Sequence, residues 1–461
     1  MNADDPDELA RSLGARLHRV LGAPVRVTGL ERASGGASRE TWLFAARPEG
    51  AGGARELVLR RDPVRAPRPE GMAREAAALA AAARSGVAVP PLVDHGTDPG
   101  VLGAPYLITG KVGGESIARR LLRDEEYADA RRGLARELGR QAARVHRIPP
   151  ESVPGLSAED PLERLIADYD ALGEPLPAVE IAFRWLREHR PPAPEPAVVH
   201  GDFRTGNLLV DRTGLRAVLD WELVHLGDPV EDLGWLCVKA WRFGSASPAG
   251  GFGTRDELLD GYAEVAGRRP DPAALRWWEV FGTARWGVIC RAQAERHLSG
   301  AQPSVELAAI GRRVCEQEHD LLAELAIPRP APAPEAVPAA RSELHGSPSA
   351  ADLVAAVAGF LRDEVLPGQR GHLRFQSRVA ANALAVVERE LRHGAGPDAA
   401  HRDRLAALGF PGTAALAGAI RRGEVRGEDP RVAEAVWRSV LDRLAVANPR
   451  HGTDPRQGGT S

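Results

Sequence analysis

The sequence predicts an α+β chain: a small antiparallel β lobe holding one helix, a larger and mostly helical lobe, and an all-α segment after it. Three observations carry this. Between residues 24 and 62 the runs VRVTGLERA, RETWLFAA and RELVLRR have strand character and are separated by Gly-rich turns. From about Ser116 to Ala326 the pattern is helical, broken only by a compact β-rich stretch at Ala197–Trp221. At Ile327–Ala340, IPRPAPAPEAVPAA, proline recurs every second or third residue; lacking amide donors and biasing their predecessors to extended geometry, these prolines mark a semi-rigid linker.

The elements follow in order. After the three strands, Pro69–Arg84 reads as a helix, with Gly86 placed for a left-handed cap. PPLVDHG and PYLITGK are short strands, and Gly113-Gly114 supplies a turn into the helical region. Ala274–Leu298 is a long helical run, and Ala350–His393 keeps helical periodicity except at Pro367-Gly368. The expected domains are 1–111 and 112–326 for the two lobes, 327–346 for the linker, 347–448 for a helical domain, and 449–461 as a polar, disordered tail.

Composition limits the function. With 60 basic against 63 acidic groups in 461 residues, the net charge of −3 provides no global positive field for nucleic acid. Cys237, Cys290 and Cys315 are odd in number and form no CxxC pair, which argues against structural zinc held by cysteines and against a disulfide framework. The start, MNADDPDELA, has no apolar core, and no run approaches the ~18–20 apolar residues of a membrane span. The expectation is a soluble protein of a reducing cytoplasm. The only lysines are Lys111 and Lys239, so a phosphate-gripping cation elsewhere must be Arg.

The densest chemistry lies in VVHGDFRTGNLLVDRTGLRAVLDWE, Val198–Glu222. A short apolar strand delivers His200-Gly201-Asp202 into a loop, Asn207 opens a second strand, Asp211–Gly214 turns, and a third strand ends at Asp220. His-x-Asp, four residues, Asn, a hairpin and a second Asp is the spacing of the phosphotransfer template. Asp202 would take or orient an acceptor hydroxyl's proton. Asn207 and Asp220, hard oxygen donors, would hold Mg²⁺ against nucleotide phosphates.

HGDFRTGN followed by VLDWELVHLGDPVEDLGWL resembles the aminoglycoside phosphotransferase-type kinase family, and within it the phosphotransferase domains related to those fused to acyl-CoA dehydrogenases; the likeness spans roughly residues 10–325. The resemblance implies a two-lobed protein-kinase-like fold, ATP and Mg²⁺. The segment beyond the linker resembles a helical domain of unknown role appended to such kinases. Within this frame Ser34-Gly35-Gly36-Ala37-Ser38 would cover the phosphates with its amides and the Ser34 and Ser38 hydroxyls, although it departs from GxGxxG. Strand parity puts Val58 and Arg60 on one face of RELVLRR and Arg61 on the other, selecting Arg60 as the phosphate cation and Val58 as its apolar companion over adenine. Arg in place of Lys changes the grip, because its planar fork binds phosphate differently. Glu75, central in the helix, is the expected ion-pair partner of Arg60. Backbone groups around Thr109 and Lys111 would meet adenine. Asp228 and Asp232 are expected to be scaffold, Asp232 bracing the catalytic loop.

The expected acceptor is a hydroxyl on a small, anionic molecule such as a hydroxyacyl-CoA. Around Trp278 and Trp286, Arg285, Arg291 and Arg296 are interleaved, and a polycationic aminoglycoside would need clustered carboxylates instead. Antibiotic phosphorylation and a nucleotide-binding pseudokinase scaffold are the alternatives. The C-terminal helices are expected to serve oligomerisation or partner binding.

Overall fold

The structure is a computed structural model that describes residues 5–33, 39–50, 53–331 and 347–452; the Gly-rich turn 34–38, most of the linker and the tail from 453 lie outside the described residues. The chain folds into two compact units: residues 1–158 with 191–279, and residues 159–190 with 280–461. Helices at 159–190 and 280–326, placed with the large lobe from sequence, pack in the same unit as the C-terminal helices.

The first unit opens with an antiparallel five-stranded sheet in the order β1-β2-β3-β5-β4. Its strands are β1 (Val25–Arg32), β2 (Glu40–Pro48), β3 (Arg55–Arg61), β4 (Leu92–Gly96) and β5 (Tyr106–Gly110). One face is apolar. Trp42, Phe44, Leu57, Leu59, Tyr106 and Ile108 meet Leu9, Leu13 and Leu17 of the helix Pro6–Leu21, whose i, i+4, i+8 spacing gives a single apolar stripe. The register Val58↔Thr109 and Arg60↔Leu107 fixes β3 beside β5.

The helix Pro69–Arg84 forms as its sequence predicts. Proline occupies its first turn, and beyond its end Gly86 adopts φ +76°. It buries Met72, Glu75, Ala76, Ala78 and Leu79.

Downstream, β6 (Ala197–Val199) pairs with β9 (His225–Gly227), and β7 (Leu208–Asp211) forms a hairpin with β8 (Gly214–Val218). Two backbone links tie this catalytic hairpin to the upstream chain. Glu115 and Val210 exchange amide–carbonyl bonds at 2.8 and 3.0 Å, and the Val218 amide donates to the Ala88 carbonyl at 2.8 Å. Val198, Phe203, Leu208, Val218 and Trp221 pack with Leu134, Leu138 and Ala142 of the helix Ala128–Val145 in one core.

The second unit is helical. Its core joins Ile181 of the helix Pro177–Glu188, Cys315 and Leu322 of Val314–Glu324, and Val436, Trp437 and Val440 of Pro430–Ala447. All three cysteines are free and buried, and burial pushes each thiol up to about 12. No helix among the described residues is long and apolar enough to cross a membrane.

Candidate active site

Among the described residues the sequence-predicted side chains make two contact groups, Arg60 with Glu75 and Asp220, and Asp202 with Asn207. β3 does what parity requires. Leu57, Leu59 and Arg61 are buried on the face toward the first helix, while Val58 and Arg60 are half-buried on the other. Arg61 turns to Glu40 at 2.6 Å and to the Leu102 carbonyl at 3.0 Å. Arg60 donates to Glu75 Oε1 at 2.5 Å and to Asp220 Oδ1 at 2.7 Å, so one guanidinium joins the third strand, the helix and the end of the catalytic hairpin.

Glu75 has a second cation that sequence reasoning missed. Arg39, the residue before β2, is buried with its guanidinium against Glu75 Oε2 and its Nε 2.9 Å from Asp62 Oδ1. The Arg68 amide also donates to Asp62, at 2.7 Å. Glu222 lies at the edge of this network, 3.9 Å from Arg39 and 3.7 Å from Arg68. Burial pulls the Arg39 guanidinium below its usual value, with the Arg60 charge acting the same way against Glu222 and Asp62.

The loop after β6 is held from beneath by Asp232, on the helix Val230–Cys237. Its two oxygens accept from the amides of His200 (2.8 Å) and Gly201 (2.9 Å), and His146 Nε2 donates at 3.0 Å. Tyr262 contacts the other nitrogen of that imidazole at 3.0 Å. Burial alone would raise the Asp232 carboxyl, but the hydrogen bond and charge of His146, helped by His200, hold it below the usual carboxylate range. This is the bracing role expected for Asp232. Gly201 has φ +79°, and a Cβ there would sit 2.4 Å from the Leu223 carbonyl oxygen, so only glycine fits.

His200 orients the loop. Its Nδ1 accepts from the Asp202 amide at 3.2 Å, which leaves the proton on Nε2 to donate to the Leu219 carbonyl at 3.0 Å. Burial is the main cause of its lowered pKa and outweighs the nearby carboxylates, so the ring is a neutral strut.

Asp202 emerges from that strut. Trp235 Nε1 and Arg204 Nε each donate to its Oδ1 at 2.8 Å, and Asn207 Nδ2 donates to its Oδ2 at 2.5 Å. Arg204 lies over the Trp241 ring at 4.5 Å. A carboxylate offers about four acceptor positions; among the described residues three are filled, which leaves one for an incoming hydroxyl.

Asp220 occupies a left-handed conformation, φ +67°, which Asp tolerates better than most residues but still at a cost of about 1–2 kcal/mol. Burial works to raise its carboxyl, and the charge and hydrogen bond of Arg60, with the charge of Arg204, outweigh it and hold it low. The Asn207 amide nitrogen is directed at Asp202, which leaves its Oδ1 for another ligand, and Arg60 is bonded to only one oxygen of Asp220. Two hard oxygens on a hairpin base therefore fit a Mg²⁺ ion that completes its shell with water and phosphate.

The strand-end positions are less complete. Thr109 is buried in β5, opposite Val58. The Lys111 amide donates to the Glu56 carbonyl at 2.9 Å and its ammonium reaches the Glu56 carboxylate at 3.2 Å, so both of its donors face strand β3. An adenine edge would have to use the groups that follow. Ser34, Gly35, Gly36 and Ser38 lie outside the described residues.

Arg39, Arg204 and Trp235 are the contributors that sequence reasoning missed. Arg204 lies inside HGDFRTGN, two residues after Asp202, and could have been read from that spacing. Trp235 lies inside VLDWELVHLGDPVEDLGWL, and Arg39 had no signal beyond its type.

This geometry defines a kinase-like phosphotransferase. Residues 29–278 match the phosphotransferase enzyme family (APH), and the chain belongs to it. Residues 367–451 match a domain family of unknown function, DUF6285. Among curated proteins the chain is similar to acyl-CoA dehydrogenase family member 10 of Mus musculus, 28% identical over 214 residues, which are 44% of this chain and 20% of that protein. It is also similar to acyl-CoA dehydrogenase family member 11 of Gallus gallus, 42% identical over 71 residues, 14% and 9% of the two chains. The chain thus spans a fifth or less of the length of these relatives. Among solved structures, a Ralstonia eutropha protein assigned as an aminoglycoside phosphotransferase matches with TM-score 0.54 and 23% identity, covering 68% of this chain and 98% of that one, which shows the shared fold.

Proposed function

We propose that the chain transfers the γ-phosphoryl group of ATP, with Mg²⁺, to a hydroxyl of a small anionic acceptor, of which a hydroxyacyl-CoA thioester is the type. The observation that supports this most is the Asp202 carboxylate, fixed at three acceptor positions by Trp235, Arg204 and Asn207, which leaves the fourth, among the described residues, for the acceptor. The acceptor oxygen donates its proton to Asp202 as its lone pair forms the new P–O bond, the bond from the γ-phosphorus to the bridging oxygen breaks, and ADP carries away the electron pair. Arg60, oriented by Glu75, grips the nucleotide phosphates. Asn207 Oδ1 and Asp220 would hold Mg²⁺, which would supply neutralisation of phosphate charge.

The acceptor class follows from what surrounds the base. Asp202 is touched by a guanidinium, an indole and a carboxamide, and the guanidinium is backed by Trp241. A cationic, aromatic surface favours a phosphate- or carboxylate-bearing alcohol and disfavours a polycation. The acyl-CoA dehydrogenase names of the relatives favour an acyl-CoA-borne hydroxyl. The test is Mg²⁺-dependent ADP release with hydroxyacyl-CoA, hydroxy-acid and aminoglycoside acceptors compared side by side. Turnover confined to aminoglycosides would overturn the acceptor class, and nucleotide binding with no turnover on any acceptor would favour a scaffold.

A further inference from the structure

In the second unit two imidazoles and a carboxylate converge. His319 and Asp320 follow one another on the helix Val314–Glu324, and His451 arrives from the turn after the helix Pro430–Ala447. His319 Nδ1 lies 3.0 Å and His451 Nε2 2.9 Å from the same oxygen, Asp320 Oδ1. Among the described residues this is the group of three or more His, Cys, Asp or Glu whose donor atoms lie within 4.8 Å of one another.

We propose that His319, Asp320 and His451 bind one divalent transition-metal ion of the zinc class. The spacing supports it. Bonds of ~2.0–2.1 Å in a tetrahedron set neighbouring donors about 3.3 Å apart; the two separations from Asp320 Oδ1, 3.0 and 2.9 Å, need open by only a few tenths of an ångström, and the ligand atoms of the three residues all lie within 4.8 Å of one another. Two imidazole nitrogens and one carboxylate oxygen form the three-ligand set that zinc takes when a water fills the fourth position. His319 and Asp320 are buried, and His451 is the most open of the three, giving the ion an entry side.

The surroundings hold the ligands in place. The His319 ring is met edge-on by Trp437 at 5.3 Å and by His451 at 5.2 Å. The Trp437 indole is anchored in turn to the Ile327 carbonyl at 3.0 Å. Gly452 backs the His319 ring so closely that a Cβ there would lie 2.4 Å from Nε2, and this close approach lets the chain bring His451 over the helix. The His451 amide closes the turn on the Asn448 carbonyl at 3.0 Å, and the Asn448 side chain donates to Glu316 at 3.0 Å. A bound ion would fasten the last helix's end, 131 residues on in sequence from Asp320, to the helix Val314–Glu324.

The experiment uses the full chain with its purification tag removed, expressed in zinc-supplemented medium and dialysed against metal-free buffer. Metal analysis is expected to find about one equivalent of zinc per chain, lost in His451→Ala and in Asp320→Asn, and kept in Asp220→Asn. Cobalt reconstitution is expected to give tetrahedral visible bands in the parent and not in His451→Ala, and zinc is expected to raise the melting temperature of the apo parent alone. Circular dichroism establishes that the His451→Ala variant folds. Less than about a tenth of an equivalent in the parent, or equal zinc in the parent and His451→Ala, would overturn the site, because a genuine three-ligand site cannot hold its ion unchanged after losing one ligand.

Discussion

Arg39 offers the sharpest test of the network beneath the active site. It is buried between Glu75, itself buried, and Asp62, which is fully buried. Arg39→Ala leaves each carboxylate one partner: Glu75 keeps Arg60 at 2.5 Å, and Asp62 keeps the Arg68 amide at 2.7 Å. Breaking a buried pair costs about 3–5 kcal/mol, and the remaining partners put this case at the lower end. About 3 kcal/mol is roughly a 150-fold change in the unfolding constant and lowers the midpoint of a unit this size by about 6–12 °C. Thermal melts of parent, Arg39→Ala, Glu75→Gln and the double variant read it. The double variant is expected to lose less than the sum of the singles, because Glu75→Gln removes the charge that Arg39 neutralises. The nucleotide constant is expected to weaken as well, since Glu75 aims Arg60. An Arg39→Ala protein melting within about 1 °C of the parent would refute the reasoning.

Two further predictions concern the catalytic loop. Gly201→Ala places a methyl 2.4 Å from the Leu223 carbonyl at a positive φ, so turnover is expected to fall at least tenfold while secondary structure by circular dichroism persists; unchanged turnover would show that the loop relaxes freely. His200 is buried with a lowered pKa, so the unfolded state binds its proton more readily. Its contribution is complete above the ordinary imidazole value of about 6.5 and is lost as pH falls below it. Parent melting temperature is expected to drop between pH 7 and 5 and His200→Gln to show a shallower slope; parallel slopes would contradict a neutral strut.

Much of the site was legible because its signals are local. A period of two along RELVLRR was enough to separate Arg60 from Arg61, and the burial of the two faces follows it. HGDFRTGN and the downstream Asp sit at hairpin spacings that backbone geometry fixes, and the helix Pro69–Arg84 carries its own start and stop signals. The rest depends on tertiary approach. Arg39 just before a strand has the same local appearance as any solvated arginine, and only burial between Asp62 and Glu75 gives it meaning. Trp235 reaches Asp202 across 33 residues, from the helix whose Asp232 accepts from the amides of the same loop. Lys111 was readable as a strand-end residue, but the donation of its amide to Glu56 follows from sheet register. The packing of residues 159–190 with the chain's last helices had no local signature.

The most direct test of the central claim compares Asp202→Ala with the parent in two assays on the same preparations: ATP binding by calorimetry with Mg²⁺, and phosphoryl transfer to the best acceptor in single turnover. A positioned base contributes about 10²–10⁴-fold, so the account predicts a loss of transfer in that range with ATP affinity within about threefold of the parent. Transfer retained at the parent rate would contradict the assignment of Asp202 as the base, and with it the mechanism built on its fourth acceptor position.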